Sequence, residues 1–339
     1  MTAATPITLG PAALVFPETT CAVADLAELE LLPEQRRAHA LALGIDRIPC
    51  APDSSELDLA AEAASAALTR SGLPAAELDV LLLVGGRAPQ YLLASEATRL
   101  QHRLGATRAF VTSVGDLGCV SISAAFTVAA ALLRGSDQVR TVLVVTAAKA
   151  PTPARYRAPM TLLGDGGGAV LLTKDTPAGR YELTDHLVHS DGRYADLFRI
   201  DYRDVPVRDW TEDCADEATY SFRLAVESRK RFEAMNAEVL ARNGLQLFDI
   251  ESVLMQNLSA GAFAFWEEAL GVRIDRACRD NLARYGHLGS LDVLVNLELA
   301  AAQQHPGDYA LLMNSSPVAA WSTTLLRRLP DSITGGTPL

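Results

Sequence analysis

A repeated string of elements constrains this chain more than any other feature. GCVSISAAFTVAAALLRG (118–135) reads as an Ala-rich helix, and the strand VLVVTAAK (142–149) follows it. Much later GHLGSLDVLVNLELAAAQ (286–303) reads as a second such helix, followed by the strand YALLMNSS (309–316). The strands LDVLLLVGG (78–86) and IESVLMQNL (250–258) stand upstream of these two helices, each followed by a helix of its own. Short runs of Leu and Val bounded by Gly or charged residues belong to strands covered on both faces. Alternation of such strands with helices predicts an α/β fold. The repetition predicts two related halves, 1–175 and 176–339, packed about a pseudo-twofold axis. Cys119 and His287 would then open equivalent helices near that axis. At 339 residues the chain has the length for two fused halves.

Local signals fill in the frame. In 57–72, Leu59, Ala60, Ala63, Ala64, Ala67 and Leu68 recur at helical spacing, and Gly72 and Pro74 stop the helix. Segment 151–175 joins the Pro- and Arg-rich PTPARYRAP to GDGGGAVLLTK, whose glycines let a strand begin where other backbone comes close. A phosphate loop would need a Lys-Ser/Thr ending and a following helix, and both are missing. Segment 213–243 reads as a long charged surface helix ending at Asn243-Gly244.

Composition excludes several function classes. A net charge of −11 with no basic cluster argues against nucleic acid and anionic membrane surfaces as partners. No apolar run reads as a membrane span, and MTAATPITLG lacks the charged start and apolar core of a signal peptide, so a cytoplasmic location is expected. The five cysteines are scattered singly, with no Cys-x-x-Cys pair and no His at ligand spacing, so neither a disulfide framework nor a metal site is expected.

Three residues have the chemistry of a nucleophile and its base. Cys119 follows Gly118 at the start of a helix, where unpaired N–H groups and the helix dipole favour a thiolate. A buried Cys also serves as a small hydrophobe, and position alone leaves that alternative open. His287 lies in YGHLGSLD, ahead of a helix start near Ser290. Asp292 stands in the first turn, where the dipole favours a carboxylate in any case. Five residues across a Gly-containing turn also allow that carboxylate to reach the imidazole and fix its tautomer.

GDLGCVSISAAFTVAAALLRG, LLGDGGGAVLL, YGHLGSLD and ALLMNSSPVAAW, in this order, resemble the thiolase fold and within it the ketoacyl synthase III group. The resemblance covers nearly the whole chain, including ALGIDRI and APQYLLASEATRL (88–100). It implies two pseudo-twofold-related halves in a five-layered αβαβα arrangement, Cys119 as the acylated nucleophile, and a homodimer with 88–100 at its interface. It implies no cofactor beyond an acyl carrier protein or coenzyme A thioester as substrate. The departures from the family are as informative. Condensing members carry a His in a His-Gln-Ala-Asn motif and an Asn in a Tyr-Gly-Asn motif, which together polarise a malonyl thioester for decarboxylation. Here LMQNLS puts Met255 or Gln256 at the first position and YGH puts His287 at the second. That arrangement is similar to antibiotic-pathway acyltransferases in which a Cys-His-Asp triad makes esters or amides of sugars or aminocyclitols with malonyl or 6-methylsalicylyl groups. In the oxyanion-hole loop, ungapped counting back from Trp321 puts Pro317 at the donor Gly, where it has no N–H to give, so either Cys119 N–H serves with Ser316 or the register differs by one.

The expected function is therefore transfer of an acyl group through acyl-Cys119 to a small-molecule hydroxyl or amine, with His287 as base and Asp292 as its orienting acid. A decarboxylating condensing enzyme is the alternative. A non-catalytic partner subunit is an alternative of another class, against which retention of Cys119, His287 and Asp292 argues.

Overall fold

A computed structural model describes residues 6–85, 91, 93–152, 154–174, 179–216, 219–318 and 320–330. Its main sheet contains strands β1 (Ile7–Leu9), β2 (Val80–Val84), β3 (Phe110–Val114), β4 (Thr141–Ala148), β5 (Gly166–Lys174), β6 (Tyr181–Ser190), β7 (Ile250–Met255), β8 (Tyr309–Ser316) and β9 (Ala320–Arg328). Their spatial order is β7-β8-β9-β6-β1-β5-β4-β2-β3, and Ala13–Val15 pairs with β5 off this path. Outward from the β1–β6 junction the two wings follow the same plan. In each, one antiparallel strand is followed by two more, and a parallel strand then pairs with the last of them: β2 on β4, β7 on β8. A fifth strand completes one wing as β3, and on the other it is reduced to a single parallel bridge between Val253 and Ile274.

Among the described residues the helices that cover these strands are α1 (Glu56–Ser71), α2 (Glu96–Leu104), α3 (Ser121–Gly135), α4 (Ala225–Arg242), α5 (Ala260–Leu270), α6 (Arg276–Tyr285) and α7 (Asp292–Ala300). Alternation along the strands sorts the layers. Val80, Leu82, Val84, Val142 and Val144 face a core that includes Ile122, Ala125 and Phe126 of α3 and Val293, Leu294 and Leu297 of α7. Leu81, Leu83, Leu143 and Val145 face Leu57, Ala60, Ala64 and Leu68 of α1 on the other side. In the second wing Leu311 and Leu325 face Val239 of α4, while Leu312 and Leu326 face the middle. The result is helix, sheet, helix, sheet, helix, and the β1–β6 ladder joins the two sheets along one edge. Each fully buried Leu or Val contributes about 1.5–3 kcal/mol of transfer free energy.

The sequence places most elements within a few residues. Helix α1 starts at a Ser55–Asp58 capping box and stops where Gly72 turns left-handed at φ 66°. The long helix expected over 213–243 starts later. Asp213–Cys214 instead pairs with Phe198–Arg199, and a wider turn over Thr219–Leu224 leads into α4. Backbone pairing to a distant segment overrides the local helical pattern there. Among the described residues one stretch, Gly118–Gly135, is long and apolar enough to cross a membrane, contrary to the expectation that none is, but it is the central helix between the sheets, with most of its side chains in the core. Within 88–100, residues 88–90 and 92 lie outside the described residues; Tyr91 and Leu93 are exposed.

The Gly run of GDGGG works as close-approach backbone. A Cβ at Gly164 would strike the Tyr285 carbonyl, one at Gly167 the Leu59 carbonyl, and one at Gly168 the Leu291 side chain. The Gly164 and Gly168 contacts seat the approach to α7 against the start of β5, and the Gly167 contact seats α1 on its other side.

Candidate active site

Cys119 sits in a short 3-10 turn, Gly118–Val120, that leads into α3. Gly118 has φ 55°, and a methyl there would run into Ser316 Oγ, so the turn needs a residue without Cβ. Two contacts from distant parts of the chain fix the turn. Asn314 Nδ2 donates to the Cys119 carbonyl at 2.7 Å, and Ser290 Oγ donates to the Gly118 carbonyl at 3.1 Å. Leu117 N–H is capped by Ser121 Oγ at 3.1 Å.

His287 enters from the loop between α6 and α7. Its N–H donates to the Leu162 carbonyl at 2.8 Å, and its own carbonyl accepts from Gly164 N–H at 3.1 Å. Gly286, with φ 65°, allows the loop to pass against that segment, because a Cβ would strike the Leu162 carbonyl. The imidazole Nε2 lies 3.3 Å from Cys119 Sγ and Nδ1 lies 2.6 Å from Asp292 Oδ2. Asp292 is fully buried and also accepts N–H bonds from Leu288 at 2.8 Å and Asn257 at 2.9 Å. Three donors on one carboxylate fix its plane. Behind it Asn296 donates to the Met255 carbonyl at 2.7 Å and to Asn257 Oδ1 at 2.8 Å, so the strand-end backbone that feeds Asp292 is itself held.

Burial alone would push the His287 pKa down, since it disfavours the imidazolium. The Asp292 carboxylate, then negative charge on Cys119, outweigh it and raise the pKa from 6.5 to about 10. The arrangement favours the imidazolium form of His287. His186 contrasts with it: burial lowers its pKa to about 4, and it spans Ser123 O and Thr324 Oγ1 as a neutral core residue.

Cys119 and His287 open onto a cavity of about 650 Å³. One part of its lining is aromatic, with Phe198, Tyr202 and Trp210, the last two meeting edge to face at 5.9 Å. Another part is charged, with Glu56, Lys149, Arg157 and Glu212, the last pair joined at 2.7 Å. Burial, reinforced by the Glu96 and Asp165 carboxylates and opposed by Lys149, raises the Glu56 pKa to about 8. Sequence reading missed these wall residues. Glu56 stands in the first turn of α1, where a carboxylate is ordinary, and Arg157, in a two-residue strand, lies 55 positions from Glu212.

The structure brings Cys119, His287 and Asp292 into one hydrogen-bonded chain and sets Ser316 against Gly118. Ser316 Oγ accepts from Val318 N–H at 3.3 Å, and Pro317 stands between them with no N–H to offer. Of the two residues expected to stand at a decarboxylation His position, Met255 is buried in the core. Gln256 there is clamped to Ser315, accepting from its N–H at 3.0 Å and donating to its Oγ at 2.6 Å. Neither side chain lines the cavity.

Comparison with known proteins supplies the remaining facts. A family profile for 3-oxoacyl-[acyl-carrier-protein (ACP)] synthase III matches residues 116–192. The chain is 30% identical over 280 residues to a beta-ketoacyl-[acyl-carrier-protein] synthase III of Rhodobacter capsulatus, covering 79% of this chain and 83% of that protein. A second, from Dinoroseobacter shibae, is 28% identical over 292 residues, 84% of this chain and 88% of its own. Among solved structures, ChlB3, described as an acyltransferase, superposes with a TM-score of 0.83 at 24% identity, covering 96% of this chain and 98% of that one. FabH of Pseudomonas aeruginosa PAO1 gives 0.77 at 20%, covering 96% and 99%. At these identities the structures establish the thiolase fold. AbyA1, described as a tetronic acid condensing enzyme, gives 0.77 at 23%, with 95% and 99% covered.

Proposed function

The chain belongs to the beta-ketoacyl-[acyl-carrier-protein] synthase III family, and from that membership we propose that it is an acyltransferase working through acyl-Cys119 rather than a carbon–carbon condensing enzyme. The observation that carries the proposal is the hydrogen-bonded chain Cys119–His287–Asp292 opening on the cavity, with Gln256 turned into the backbone where decarboxylation would need a His. In the first half-reaction Cys119 thiolate adds to the carbonyl of an acyl carrier protein or coenzyme A thioester. The tetrahedral oxyanion collapses, the C–S bond to the carrier breaks, and the departing thiolate takes the proton of the His287 imidazolium. Acylation removes the negative charge on Cys119 that helps hold that proton, so His287 becomes a competent neutral base at this stage. In the second half-reaction a hydroxyl or amine of a small-molecule acceptor attacks the acyl-cysteine. His287 removes its proton, Asp292 stabilises the resulting imidazolium, and Cys119 leaves as thiolate. Cys119 N–H and Ser316 are the proposed oxyanion donors.

A cavity with aromatic and charged walls fits an aromatic or malonyl-type acyl group and a polyhydroxylated or aminated acceptor such as a sugar or aminocyclitol. In this reading residues 1–175 carry the nucleophile and 176–339 the base, as two thiolase-like halves. A second copy is proposed to pair along β3, an edge strand on which Phe110 is 60% exposed.

The names of the curated relatives favour a second reading, decarboxylative condensation with His287 alone polarising the malonyl carbonyl. One experiment divides the two. The protein is incubated with acyl thioesters and the intact mass is followed, then acceptor is added. An acyl adduct lost in Cys119→Ala, and ester or amide product without carbon dioxide, supports transfer. Carbon dioxide release from malonyl thioester with a carbon–carbon product supports condensation. No adduct with any thioester overturns both.

A further inference from the structure

Thr20–Ala22 pairs antiparallel with Arg47–Pro49, placing Cys21 opposite Ile48, and Cys50 N–H extends the ladder by donating to the Thr19 carbonyl at 2.9 Å. That register puts Cys21 and Cys50 diagonally on one face of the ribbon. Their sulfurs are 2.7 Å apart, approaching the ~2.05 Å of a disulfide. Cys21 is partly exposed and Cys50 is buried beneath it. Burial and the Cys21 contact push the Cys50 thiol up to about 11, whereas the Arg155 guanidinium, anchored on Asp165, works in the opposite direction. The proposed acyl-transfer chemistry uses neither sulfur.

We propose that Cys21 and Cys50 are a reversible dithiol–disulfide pair, closed by a low-molecular-weight disulfide and reopened by thiol reductant. Cys21, the reachable member, attacks one sulfur of the small disulfide as thiolate, and the other half leaves as a thiolate. Cys50 then gives up its proton to solvent and attacks the Cys21 sulfur, expelling the second small thiolate. Two protein thiols are oxidised, one small disulfide is reduced to two thiols, and nothing else is consumed.

The pair lies beneath the candidate active site. Pro49, next to Cys50, accepts from Asp165 N–H at 2.9 Å, Ala51 N–H donates to Asp165 Oδ2 at 2.8 Å, and the adjoining Gly164 N–H holds the His287 carbonyl at 3.1 Å. A bond between the sulfurs would fix the strand end from which this chain of contacts runs to His287.

The test treats the native protein with oxidised glutathione, alkylates the remaining thiols, and maps peptides without reduction. The expected result is a Cys21–Cys50 linked peptide, an intact mass lower by two hydrogens, and a melting temperature higher by about 5 °C. That shift follows from loop-closure entropy for a sequence separation of 29 and the unfolding entropy of a chain this long. Thiol reductant should reverse all three, and Cys21→Ser should abolish them. Alkylation of both cysteines after oxidant overturns the proposal. So does a persistent glutathione adduct on Cys21, or a link that forms only after denaturation.

Discussion

Replacing Asp292 by Asn removes a charge at nearly constant shape and strikes the centre of the proposed mechanism. Asp292 accepts three hydrogen bonds, from His287 Nδ1 at 2.6 Å, Leu288 N–H at 2.8 Å and Asn257 N–H at 2.9 Å. An amide has one acceptor oxygen, so its NH2 must face at least one of these N–H donors. With the NH2 at the Oδ2 position, His287 must present a bare Nδ1 and carry its proton on Nε2, which cannot then accept one from an acceptor substrate. The charge matters independently. Asp292 is the largest influence raising the His287 pKa to about 10, and burial alone acts downward. Without that charge burial pulls the His287 pKa down, and replacing the carboxylate of such a triad by an amide costs about 10³–10⁴ in rate. The assay is single-turnover acylation and acyl transfer for both proteins, with the His287 titration followed by NMR. Transfer should fall by about that factor and the imidazole should titrate several units lower. A transfer rate within tenfold of the native one, or an unmoved titration, refutes the assignment of Asp292. The linkage has a definite sign. Because the folded-state pKa of His287 is raised, its contribution to stability is complete below its unfolded value of about 6.5 and is lost as pH rises through about 10. The stability gap between native protein and Asp292→Asn should accordingly be wide at pH 6 and narrow by pH 10 in denaturant titrations.

Gly118→Ala should destabilise the fold by about 1–3 kcal/mol and displace Cys119, since the turn has φ 55° and a Cβ would collide with Ser316; urea unfolding and acylation rate measure both effects. Asn314→Ala removes the amide that holds the Cys119 carbonyl and should cost about 1–3 kcal/mol, with acylation slowed, by the same measurements. Glu56→Gln should raise the melting temperature, more at pH 9 than at pH 5. The folded-state pKa of Glu56 is raised to about 8, so folding is opposed increasingly as pH climbs from its unfolded value near 4.3 through 8, and the amide escapes that cost.

Much of the architecture was legible because it is written in local patterns. The runs at 80–84 and 141–148 are too short and too rich in Leu and Val for anything but buried strands, and α1 carries both its capping box and its Gly72 stop. The charged segment at 213–243 misled where long-range pairing at 213–214 displaced the first part of a helix that local propensity favoured. The wall residues Glu56, Arg157 and Glu212 were illegible for a related reason, since a single carboxylate or guanidinium carries no mark of the surface it will face.

By itself the sequence determined the periodicities, the glycines where backbones must touch, and the candidates Cys119, His287 and Asp292 with the spacing that lets the last two meet. Only the tertiary structure decided that Cys119 and His287, 168 positions apart, lie 3.3 Å from each other, that Gln256 turns into the backbone, and that Cys21 meets Cys50. Local patterns fix which face of a helix or strand is apolar. Which faces then pack together depends on closing two sheets around α3 and α7, and that is a property of the whole chain.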